Sequence, residues 1–237
     1  MKISKTITVL SILVVSFIGN AQDKWNQLDE KGERHGTWKG YYDDSKLLRY
    51  EGNFVHGKES GLFTYYANSD KKIVMATRNF DGKGSAYTIF FDENSFKVSE
   101  GNVVNKLRHG LWKYYHKGLK TVMSTENYLN DKLEGVRKVY YANGVLGEEI
   151  PYKNNLKEGT AKKYNKEGKL IEETHFVAGQ MQGSYKVFDE FGNVVILGNF
   201  KDDKKKGIWK YFQGGKLVRQ MNADTINGYK KPSLQKK

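Results

Sequence analysis

A chain of 237 residues without a cysteine excludes a disulfide framework and a lipid-modified N-terminal cysteine. Aromatic residues make up 14% of it, at positions too regular for a disordered polymer. The formal net charge of +13 keeps acidic partners in view, and what matters is where that charge sits.

The chain opens on a targeting pattern. Lys2 and Lys5 supply a positive start, residues 7–18 are apolar, and Gly19-Asn20-Ala21 supply the small residues of a cleavage site. This order predicts a signal peptide over 1–21, cleaved before Gln22, and therefore export to the periplasm, the cell surface or the medium. The apolar run is short for a membrane span, and no later stretch is apolar enough to cross a bilayer. Without Lys2 and Lys5 the charge falls from +13 to +11. Residues 22–35 read as an N-terminal cap, in which Trp25 and Leu28 precede the turn-forming Asp29-Glu30-Lys31-Gly32. A sheet that begins here needs such cover, because a bare strand edge pairs with other chains.

From Gly36 onward one unit recurs. Its anchor glycines are Gly36, Gly61, Gly84, Gly110, Gly135, Gly159, Gly183 and Gly207, spaced 25, 23, 26, 25, 24, 24 and 24 residues apart. Two residues after the anchor stand Trp38, Phe63, Trp112, Tyr185 and Trp209, with Ala86, Arg137 and Ala161 as exceptions. Five residues after it stand Tyr41, Tyr66, Ile89, Tyr115, Tyr140, Tyr164, Phe188 and Phe212. The second run of each of the first seven units closes on Phe54, Phe80, Val104, Tyr128, Tyr152, Phe176 or Phe200, with an aliphatic residue six positions earlier. Between the runs lie turn residues such as Asn143-Gly144 and Gly214-Gly215. Each unit is thus a predicted β-hairpin, marginal alone and stable only when stacked on its neighbours. The expected fold is all-β: an elongated antiparallel meander of about eight stacked hairpins over residues 36–221, roughly 75 Å long at the usual strand spacing. After Leu217 the register fails, and residues 222–237 read as a weakly structured basic tail.

Polar residues mostly follow the repeat. Lys39, Lys113, Lys138, Lys162, Lys186 and Lys210 stand three residues after their anchors and form a lysine file in the stack. Such a file suits an anionic glycan or an acidic membrane surface. The plainer reading is cross-strand pairing with Glu51, Glu149 and Glu173. Trp38, Trp112 and Trp209 offer stacking surfaces to a partner or, more plainly, the core between units. Glu148-Glu149 and Glu172-Glu173 repeat at equal unit positions, which argues against a general acid and base. The five histidines show no metal-ligand spacing, and there is no phosphate loop or serine nucleophile elbow. No cofactor, metal or catalytic residue is expected.

The unit resembles a MORN repeat variant, Gly-x-Trp-Lys-x-Tyr-Tyr followed by a Gly/Asn turn, Leu-x-x-Glu and a closing aromatic. Gly110-Leu-Trp-Lys-Tyr-Tyr and Gly207-Ile-Trp-Lys-Tyr-Phe carry it most clearly. The resemblance covers residues 29–221 and implies a scaffold module without catalytic residues. Many bacterial proteins of this build are similar to a family catalogued as antitoxins of toxin–antitoxin systems, a label that points to no residue. The expected function is therefore an exported, non-enzymatic binding or scaffold surface for a protein or envelope glycan. The alternatives are neutralisation of a toxin and, through the lysine file, association with an anionic membrane or polymer. Export argues against a nucleic-acid partner.

Overall fold

The computed structural model of the chain describes residues 25–227; the expected signal peptide and residues 228–237 lie outside them. Strand β1 (Gln27–Leu28) pairs with β2 (Arg34–Tyr41), and the chain continues as an antiparallel meander. The series continues through β3 (Leu48–Val55), β4 (Lys58–Tyr66), β5 (Val74–Phe80), β6 (Ser85–Phe91), β7 (Lys97–Val104), β8 (Leu107–Tyr115) and β9 (Val122–Leu129). The short β10 (Lys132–Leu133) and then β11 (Gly135–Tyr140) both pair with β9. Likewise β12 (Leu146–Lys153) receives the short β13 (Leu156–Lys157) and then β14 (Gly159–Tyr164). Strands β15 (Leu170–Val177), β16 (Gln180–Phe188), β17 (Val194–Lys201), β18 (Lys204–Gln213) and β19 (Lys216–Asn222) complete one 19-stranded sheet. The all-β meander of stacked hairpins is the observed architecture.

Local chemistry sets the register. Units are joined by two-residue turns whose residues both take left-handed backbone, as at Asn130 (φ 51°) and Asp131 (φ 64°). That geometry matches the twist of the flanking strands. The anchor glycine follows, and at Gly110 (φ 71°) it absorbs a register shift between β7 and β8 that a side-chain-bearing residue would strain. Within every hairpin but the third the expected pairs meet, among them Tyr41 opposite Leu48, Tyr115 opposite Val122 and Phe188 opposite Val194.

The third unit corrects the expected register, by two residues on its first strand and by one on its second. Asp81 Oδ1 accepts the backbone N–H groups of Lys83 (2.7 Å) and Ser85 (3.0 Å), closing a longer turn that takes in Gly84. Strands β5 and β6 then pair without a register shift, Phe80 opposite Ala86 and Arg78 opposite Thr88. The position that holds Trp112 in the next unit is therefore filled by Thr88, not Ala86. Phe91, not Ile89, takes the tyrosine position opposite Lys97, and Val103, not Val104, closes the unit.

One face of the sheet holds the core. Phe63, Trp112 and Trp209 are buried to 1%, 3% and 1% exposure, and Phe54 to 2%. Rings of this row meet edge to face: Phe54–Phe63 and Phe63–Phe80 at 5.2 Å, then Tyr185–Phe200 at 5.4 Å and Phe200–Trp209 at 5.2 Å. Three of the rings lie on glycines. A methyl on Gly101 would stand 2.5 Å from the Trp112 ring, and one on Gly52 or Gly198 would stand 2.4 Å from Phe63 or Trp209.

Both ends are covered. Asn26 acts as a stand-in strand residue: its Oδ1 accepts the Lys39 N–H (2.7 Å) and its Nδ2 donates to the Lys39 carbonyl (3.1 Å). At the other end the expected tail begins later than Asn222. β19 runs to Asn222, whose Oδ1 caps the Asp224 N–H (3.0 Å) of a short helix α1 (Ala223–Asn227). Ala223, at 3% exposure, sits against the sheet where the repeat would have placed an aromatic.

Removing the Trp112 ring (Trp112→Ala) is expected to destabilise the fold by about 3–5 kcal/mol. Gly101→Ala should cost about 1–3 kcal/mol through overpacking. The double variant should lose less than the sum, because the absent ring makes room for the methyl. Lys117→Ala, in an exposed turn, should stay within about 0.5 kcal/mol of the parent. Urea melts of the four proteins check this, and strict additivity would show that ring and glycine do not share a seat.

Candidate functional site

The two faces of the sheet divide the expected site residues. The lysine file lies on the face opposite the rings, and there it meets carboxylates. Lys138 reaches Glu149 at 3.3 Å and Lys186 reaches Glu173 at 3.5 Å. Lys113 stands opposite Glu100, Lys39 opposite Glu51, and Lys162 between Glu149 and Glu173. Lys39 also lies over the Trp25 ring, its Nζ 3.6 Å from the centroid. Lys210 is the exception, flanked by Leu197 and Gln220. Tyrosines from the next hairpin complete the pattern: the hydroxyls of Tyr66, Tyr115 and Tyr164 donate to Glu51 (2.5 Å), Glu100 (2.5 Å) and Glu149 (3.0 Å). Burial alone would raise the Glu100 carboxyl, but hydrogen bonds from Lys97 and Tyr115 overcome it and hold the group below its usual range. This face is an ion-paired lattice more than an open cationic track.

On the ring face, Trp112 and Trp209 are core side chains and offer no stacking platform; Trp38 is half-buried, its Nε1 donating to the Gln27 carbonyl (3.0 Å). What this face offers lies where the row is interrupted. Each ring position is matched to the residue two before the previous unit's closing position, as Gly101 is matched to Trp112. At Arg137 the match is Glu126, which accepts from its Nε at 2.8 Å. At Thr88 the match is Arg78, and at Ala161 the register places Ile150. These last two pairs leave space, and a groove opens at each.

The groove beside Ala161 has a volume of about 480 Å³, and its lysines are offset by Glu148 and Glu172. Lys163 lies 3.5 Å from Glu172. The groove at the Thr88 interruption is larger, about 910 Å³, with Phe80, Ala86, Phe90, Val103 and Trp112 as its apolar floor. Lys58, Arg78, Lys83, Lys106 and Arg108 surround it, with Glu59 as the carboxylate in the lining. Arg108 is held by Asp131 (2.9 Å) and by the Tyr114 hydroxyl (3.1 Å). The Arg78 Nε is buried without a hydrogen-bond partner, as is the Thr88 hydroxyl across the strand pair. The sequence hint to this groove was the loss of aromatic register in the third unit; the basic rim, gathered from three strands and two turns, carried no linear signal. Histidine spacing also misleads, since folding brings His35, His56 and Asp29 together. Among the described residues, no helix is long and apolar enough to cross a membrane.

These features define a β-hairpin repeat protein with one ring-lined and one ion-paired face. The chain carries the MORN repeat variant, which matches residues 34–56, 133–154, 157–178 and 181–202. Repeats of this kind are modules for binding proteins or membranes. No curated protein matches the chain. A solved structure of a mutant S. aureus TarM in complex with fondaparinux, alpha-GlcNAc-glycerol and UDP is similar at 14% identity and a TM-score of 0.32. That likeness covers 41% of this chain and 19% of that one, and carries no argument.

The tyrosine–glutamate contacts make the ion-paired face sensitive to alkali. Desolvation, and then the hydrogen bond to Glu51, push the Tyr66 hydroxyl up from 10.0 to about 12. The folded chain holds this proton more tightly than the unfolded chain does. Its contribution to stability is therefore complete below pH 10 and is lost as pH rises toward about 12. Urea midpoints across that window should fall less steeply for Tyr66→Phe than for the parent; equal slopes would remove Tyr66 from the account.

Proposed function

We propose that the chain is an exported, non-enzymatic binding protein that docks an acidic segment of a protein partner in the groove at Thr88. One observation carries the reading: an interruption of the aromatic row leaves a groove of about 910 Å³ with an apolar floor, rimmed by five cationic side chains and one carboxylate. A buried donor left unpaired, such as the Arg78 Nε, costs about 1–3 kcal/mol. A partner carboxylate would meet the part of the Arg78 guanidinium that lines the groove, where guanidinium and carboxylate bond with charge assistance. The rings below would receive apolar neighbours of the acidic residues. The lysine file contributes less, because all of its members but Lys210 face a carboxylate across the strands.

Export rests on the order of charged, apolar and small residues in 1–21. N-terminal sequencing of the native protein should begin at Gln22; finding Met1 would overturn this. The non-enzymatic reading rests on carboxylates that recur at equal positions in successive units, where one reaction needs one constellation. Neutralising a toxin is one form such docking would take, and an envelope glycan is the competing ligand.

The test titrates a glutamate-rich peptide into the purified protein by calorimetry. Binding should weaken steeply with salt, as exposed charges are screened over about 10 Å at 0.1 M ionic strength. Arg78→Ala with Lys106→Ala should weaken it tenfold or more. Changing Lys113, Lys138, Lys162 and Lys186 to Gln should leave it nearly unchanged. The reverse ranking would return the site to the lysine file, and tighter binding of a sulfated oligosaccharide than of the peptide would favour the glycan.

A further inference from the structure

Three side chains outside the groove meet at the N-terminal end of the sheet. Asp29 belongs to the cap turn, His35 to β2, and His56 to the turn between β3 and β4. One ligating atom from each lies within 4.8 Å of the others. The Nδ1 of His56 is 2.7 Å from Asp29 Oδ2, and the two imidazole rings are 5.0 Å apart. We propose that Asp29, His35 and His56 form a binding site for a divalent transition metal, with zinc as its prototype. The proposal is independent of the groove and of its partner.

The donor set decides the metal class. Two imidazoles and one carboxylate suit zinc, nickel or copper(II) and are poor for calcium or magnesium, which take all-oxygen sites. With metal–ligand bonds of about 2.0–2.1 Å, tetrahedral donors stand about 3.3 Å apart, so donors now within 4.8 Å of one another need to close by about 1.5 Å or less. The carboxylate is already oriented. Its Oδ1 accepts the backbone N–H groups of Lys31 and Glu33, both at 2.9 Å, which leaves Oδ2 facing the histidines. A ligand whose second atom is fixed in this way holds its direction without further ordering. The Glu33 side chain lies over Gly57, beside His56, and adds a nearby negative charge.

His56 also departs from the residue most often used at its turn position. It occupies the first left-handed site of its turn, at φ 46°, where later turns use Asn105, Asn130, Asn154, Ala178 and Asp202. Asparagine and aspartate take that conformation more readily than most residues and are favoured in such turns. The histidine gives up turn chemistry and gains a ligand position facing Asp29. A bound ion would tie the cap turn to β2 and to the β3–β4 turn at once, which fastens the cover of the sheet edge.

The experiment titrates zinc chloride into the purified full chain, carrying no polyhistidine tag, by calorimetry, with thermal melts at matched zinc concentrations. One zinc should bind per chain, and the melting midpoint should rise with zinc. His56→Asn, which restores the residue used in three other turns, should fold as the parent does without metal and weaken zinc binding tenfold or more. His35→Ala should weaken it similarly, while His109→Ala should bind as the parent does. Absence of saturable one-to-one binding would overturn the proposal. So would binding that survives His56→Asn, which would place the ion elsewhere.

Discussion

At Gly52, Gly101 and Gly198 the ring of the following hairpin lies where a methyl would stand only 2.4–2.5 Å away. This seat lets a large ring lie flat across its neighbour instead of standing up into solvent. It explains how one sheet buries Phe63, Trp112 and Trp209 to 3% exposure or less. The closing aromatics, Phe54 and Phe200 among them, then meet those rings edge to face. No hairpin owns such a contact, because the glycine belongs to one unit and the ring to the next. Stability is therefore a property of neighbours, as expected of repeat arrays.

Elsewhere the same geometric demand is met by different chemistry. Glu126 with Arg137 replaces glycine with ring by a charge-assisted pair. Arg78 with Thr88 and Ile150 with Ala161 reverse the order of large and small, and grooves open beside them. The binding surface is thus a consequence of where the packing rule is relaxed. On the other face, lysines, glutamates and tyrosines alternate across hairpins, which gives the sheet a wet side where Lys138 and Lys186 are ion-paired and Glu51 accepts from Tyr66.

Much of this was legible before any coordinates. The spacing of Gly110, Trp112 and Tyr115 in successive units announced hairpins, and the closing aromatics announced their register. Pairing of Lys138 and Lys186 with Glu149 and Glu173 was open in the sequence as the plainer of two readings. The third unit misled because Gly84 imitates an anchor while serving a longer turn set by Asp81. Phe91 and Glu100 keep the register of Tyr115 and Glu149, whereas the expected register has Ile89 at the tyrosine position and Val104 at the unit's close. Two features had no linear trace. The basic rim joins residues from Lys58 to Arg108, and the Asp29–His35–His56 cluster joins a cap, a strand and a turn. Both depend on neighbours in the sheet rather than neighbours in the chain.

The packing rule itself is tested most directly by moving a glycine–ring seat into the interrupted unit. Stability is measured by urea melts for Arg78→Gly, Thr88→Trp and the double variant. Thr88→Trp alone would crowd Arg78, and Arg78→Gly alone would enlarge the void. Together they recreate the match of Gly101 with Trp112, so the account predicts a double variant more stable than either single one, by a coupling of about 1–3 kcal/mol. Simple additivity of the two changes would contradict the claim that ring and glycine act as one unit across adjacent hairpins.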